Sequence, residues 1–145
     1  MLESGRNGDR TAAVRRRLGW MTLTGAGFVV GYWVLYFTRA IPMLPADGPP
    51  GALEPAFVAA DAVLSLTLFA AGHALFAGRP AGPFLVVAGA SMCVYLGVLD
   101  LTIQAQRSLT TPLTAAALFP WLIGALCVAG GALGIRLGWV LWKDT

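Results

Sequence analysis

The chain has 145 residues, 57% hydrophobic and 12% charged, with a net charge of +3 and a mean hydropathy of +0.72. Soluble globular domains carry about twice that share of charged residues, so composition excludes one and points to an all-α integral membrane protein. The expected fold is a compact bundle of four transmembrane helices, because a bilayer span takes roughly 20 apolar residues and nothing is left over for a separate soluble domain.

Residues 1–17 form a basic tail, with Arg6, Arg10, Arg15, Arg16 and Arg17 against Glu3 and Asp9. A basic cluster directly before an apolar run is expected to anchor that end in the cytoplasm, drawn to anionic headgroups, rather than to bind nucleic acid. The run that follows is too long for a cleaved signal and lacks a small-x-small site. The first span covers about 18–38. Trp20 stands at its inner edge, and Tyr32, Trp33 and Tyr36 crowd its outer third, where amphipathic rings settle at an interface. Gly25, Phe28, Tyr32, Tyr36 and Arg39 share one helical stripe, which puts Arg39 within reach of the tyrosine hydroxyls.

Residues 40–54 are a Pro-rich outer loop with Pro42, Pro45, Pro49 and Pro50 beside Gly48 and Gly51, too many breakers for a helix. It is expected to be either a lid or a plain connector. The second span, 55–77, opens on Glu54-Pro55, an acid and a proline suited to a helix start. Asp61 lies under two turns from its outer end, on one face with Ser65, Leu68 and Gly72. His73 is turned about 120° away and stands ~18 Å deeper, so the two do not pair.

A tight Gly78–Gly82 link carrying Arg79 leads into the third span, 83–102. There Gly89, Cys93, Leu96, Asp100 and Gln104 form a stripe expected to face the bundle interior. The helix dipole disfavours an acid near a C-terminal end, so Asp100 calls for a partner or a functional reason. The last span, 113–141, carries a seam of Ala117, Pro120, Gly124, Cys127, Gly131, Gly134 and Gly138. Small residues at that spacing allow close helix approach, within one chain or between copies. Gly130 with Gly134 and Gly138, and Gly27 with Gly31, also make GxxxG units, and Pro120 is expected to kink the span.

Orientation follows from the cations. With both termini cytoplasmic, the inner side holds the tail arginines, Arg79, Arg136 and Lys143, and the outer side only Arg39 and Arg107. Lys143 is the sole lysine, and this arginine bias with abundant Gly and Ala fits a GC-rich bacterial source, hence a plasma or bacterial inner membrane.

The same topology gathers Asp61, Asp100, Gln104, Arg39 and Tyr36 in the outer half as the candidate ligand-binding set. Buried carboxylates there share a proton, pair with Arg39, hold a cationic group or form a structural network. Gly124, Gly131, Gly134 and Gly138 are the candidate packing set. Cys93 and Cys127 belong to no CxxC pair, and no HExxH, phosphate loop, GxSxG or metal-ligand spacing occurs. No catalytic residue, metal or cofactor is therefore assigned. Small multidrug exporters share the span count, but they carry a glutamate in the first span and residues 18–38 contain no acid. The glycine seam is the stronger signal, so the expected function is a non-enzymatic accessory protein docking that seam on a membrane-protein partner or in a homo-oligomer; the alternative is a binder or carrier of a cationic or amphipathic small molecule at Asp61 and Asp100.

Overall fold

A computed structural model describes residues 3–38, 53–108 and 115–143. They form four helices, α1 (Glu3–Phe37), α2 (Leu53–Phe76), α3 (Ala81–Ser108) and α4 (Ala115–Lys143). All four are long and apolar enough to cross a membrane, over Thr11–Phe37, Phe57–Phe76, Ala81–Gln106 and Leu118–Lys143. Arg39 and most of the Pro-rich loop lie outside the described residues.

Large apolar side chains point outward on every helix: Leu66 is 71% exposed, Tyr95 68%, Phe28 61% and Leu126 60%. Water does not tolerate an apolar surface of that extent, and hydrocarbon does. The helices also outrun the expected spans. α1 continues through the basic segment to Glu3, where alanine and arginine are good helix formers, and α3 continues past Thr102 to Ser108, so that Gln104 is helical. Pro120 falls in the second turn of α4, and the helix runs through it.

The link between α2 and α3 is a Schellman cap. Gly78 takes φ +66°, its N–H donates to Leu75 O at 3.1 Å, and the Arg79 N–H donates to Ala74 O at 2.9 Å. Those bonds satisfy carbonyls left open at the helix end, and the left-handed conformation favours glycine. This end of the molecule, with Arg15, Arg79 and Lys143, is called the turn end below; the opposite end is the far end.

Packing follows chain order. α1 lies on α2, α2 on α3, and α3 most extensively on α4, while α1 meets α4 at few described positions. At the turn end Leu18, Ala71, Leu75, Val86 and Leu141 form a core drawn from all four helices. A second core of Ala26, Leu64, Leu68 and Leu96 comes from α1, α2 and α3 alone.

The glycine seam of α4 faces α3. A Cβ on Gly131 would stand 2.6 Å from Ala90 O, one on Gly134 2.9 Å from Ala90 Cβ, and one on Gly138 2.9 Å from Val87 Cγ2. On α3, a Cβ on Gly97 would stand 2.8 Å from Gly124 O. These contacts let the two backbones approach, and dispersion then holds the helices together. Gly27, Gly31 and Gly130 have no such neighbour within 4 Å.

Candidate functional site: a carboxylate cluster at the far end

Asp61 is half-buried on α2. The Trp33 indole N–H of α1 donates to Asp61 Oδ2 at 2.9 Å, and the Ser65 hydroxyl donates to the Asp61 backbone carbonyl at 2.8 Å. Trp33 is held by the rings around it, with centroids 5.0 Å from Tyr36, 5.4 Å from Tyr32 and 5.9 Å from Phe37. Tyr36 thus reaches the site through Trp33, as part of the wall that orients the indole.

Asp100, also half-buried, enters from α3. The Gln104 amide, one turn on, donates to its Oδ1 at 3.4 Å, the spacing at which helical side chains meet. A Cβ on Gly124 would come 3.3 Å from Asp100 Oδ2, so the missing side chain on α4 leaves room for the carboxylate. Asp61 and Asp100 lie within electrostatic reach of each other. Cys127 lies within reach of both acids, and Cys93 of Cys127 and Asp61. Both thiols are free.

The far end therefore brings together Asp61, Asp100, Gln104 and, through Trp33, Tyr36; Arg39 falls outside the described residues. His73 is exposed towards the turn end. Among the described residues no group of three or more His, Cys, Asp or Glu side chains is placed to hold a metal. A pair of partly desolvated carboxylates of one sign, hydrogen-bonded to neutral donors, is chemically a receiver for positive charge.

Trp33 is the site residue that the stripe through Phe28 and Tyr32 hides, since Phe28 points outward. The buried face of α1 runs instead through Leu18, Thr22, Ala26, Val29 and Trp33. That spacing of four, four, three and four residues places the indole inward. An inward-facing indole N–H in an apolar helix needs an acceptor, which is the signal that finds it.

Compared with known proteins, the chain matches no protein-family model, no curated protein and no solved structure.

Proposed function

We propose that the chain is a multi-pass protein of the plasma or bacterial inner membrane with both termini cytoplasmic, and that it binds or carries a cationic or amphipathic small molecule at Asp61 and Asp100. The orientation rests on cation asymmetry: Arg15, Arg16, Arg17, Arg79, Arg136 and Lys143 belong to the turn-end half, and such residues stay on the cytoplasmic side. The binding reading rests on one observation, that two half-buried acids from different apolar helices lie at the same end. Intramembrane acids are costly to keep, and a cationic group between them offsets that cost.

The test is saturable binding of a lipophilic cation, tetraphenylphosphonium, to the purified chain by equilibrium dialysis. Asp61→Asn and Asp100→Asn are each expected to weaken it by about tenfold or more, the loss of at least 1.4 kcal/mol. Absence of saturable binding, or binding by either variant as tight as that of the parent, overturns the reading.

A second reading, an accessory protein that associates with a membrane partner or with its own copy, keeps a narrower basis. Gly124, Gly131, Gly134 and Gly138 are occupied by α3, and the positions that remain open are Gly130 on α4 with Gly27 and Gly31 on α1.

A further inference from the structure

Midway along the bundle, between α1 and α2, an apolar groove of about 250 Å³ opens on the outer surface, walled by Leu23, Ala26, Gly27 and Val30 of α1 and by Ser65, Leu66 and Phe69 of α2. It exists because Gly27 carries no side chain there and has nothing within 4 Å of its Cβ position. Both walls lead to positive charge. On α1, Arg16, Leu23, Gly27 and Val30 follow one another at spacings of seven, four and three residues, a single helical stripe. On α2, the face of Leu66 and Phe69 continues through His73 and Phe76 to the turn that carries Arg79.

Arg16, Trp20, His73, Phe76 and Arg79 are all exposed. The Trp20 ring meets Phe76 edge-on with centroids 5.4 Å apart, which ties α1 to α2 between the groove and the turn end. Arg15 reaches across to the turn that carries Arg79, its Nη1 3.5 Å from the position of a Cβ on Gly78. The apolar groove thus leads along both helices towards the guanidinium groups of the turn end, with an aromatic ring on the way at the depth where such rings favour the headgroup layer.

We propose that this is a binding site for one anionic phospholipid, with its phosphate among Arg15, Arg16 and Arg79 and one acyl chain in the α1–α2 groove. Guanidinium forks match phosphate oxygens, and the apolar walls match only hydrocarbon. The charge selects an anionic lipid over a zwitterionic one, whose ammonium group the cluster repels. The proposal shares the membrane reading above and is independent of Asp61 and Asp100.

The test is native mass spectrometry of the detergent-solubilised full chain titrated with phosphatidylglycerol. One lipid per chain is expected to bind ahead of any others. Arg16→Gln and Arg79→Gln should each weaken it by about fivefold, the effect of about 1 kcal/mol per basic residue at a membrane surface. Gly27→Leu, filling open space, should weaken it comparably without lowering the unfolding temperature, and Lys143→Gln, a turn-end cation on α4, should leave it unchanged. Equal binding of phosphatidylcholine, equal loss in Lys143→Gln, or full competition by glycerol phosphate each overturns the site. A dimer that Gly27→Leu dissociates and Arg16→Gln spares would give the groove to a second copy and overturn it as well. Asp61→Asn and Asp100→Asn should retain the lipid, so the fate of this site is read separately from that of the carboxylate cluster.

Discussion

Trp33 and Asp61 join α1 to α2 through an indole-to-carboxylate hydrogen bond of 2.9 Å. It ties the two helices together at the far end, where the core lacks α4. Its strength is measurable in a double-mutant cycle of Trp33→Phe and Asp61→Asn by reversible unfolding in mixed detergent micelles. Trp33→Phe is expected to cost about 1–3 kcal/mol, as for a buried acceptor that loses its donor, with a coupling near 1 kcal/mol between the pair. A coupling of zero would sink the assignment of the bond.

Two adjacent glycines of α4 should respond in opposite ways. Gly131→Ala drives a methyl group into Ala90 O and Val94, with contacts of 2.6 and 2.7 Å, and is expected to destabilise the protein by about 1–3 kcal/mol through forced separation of α3 and α4. Gly130→Ala meets nothing within 4 Å and should be neutral or stabilising by up to about 1 kcal/mol, since alanine is the better helix former. The same unfolding assay compares them, and equal effects would contradict the facing of the seam.

Gly78 takes the left-handed conformation with φ +66°, and its neighbour's N–H closes the α2 cap onto Ala74. Gly78→Ala is expected to lower stability by about 1 kcal/mol, the steric cost of a Cβ in that region. A variant as stable as the parent would show that the cap tolerates a side chain.

Orientation is tested by labelling with a membrane-impermeant maleimide in a Cys93→Ser, Cys127→Ser background. Arg79→Cys should react only in inverted vesicles and Gln106→Cys only from the outside of intact cells, both positions being exposed. The reverse pattern would place the termini outside.

Hydropathy alone made the four helices legible, and the Gly78–Gly82 link marked the one described turn, because span length and chain breakers are local properties. The stripe through Gly89, Cys93, Leu96, Asp100 and Gln104 was legible too: Leu96 is buried, Cys93 packs on the far-end core, and Gly89 lies against Leu68 and Thr67 of α2. The partner of the glycine seam was not, since small residues permit close approach by any helix and do not name one. On α1 the inward face was masked by its tyrosines, which are as suited to an interface as to a core. Only the spacing from Leu18 to Trp33, with no charge along it, separates that face from the outward stripe through Phe28. The helical course of Glu3–Arg17 was equally hidden, because a polar segment carries no periodic apolar signal to report it.

The chain-order packing has a consequence for synthesis. Each helix from α2 onward packs on the one made immediately before it, so hairpins can assemble as they emerge, with short loop closures and little waiting for distant segments. Only the turn-end core needs all four helices. Leu141, near the end of α4, is the last of its members to be made and completes a cluster begun by Leu18. A chain stopped before α4 would therefore retain the α1–α2–α3 core and leave the α3 glycine face uncovered.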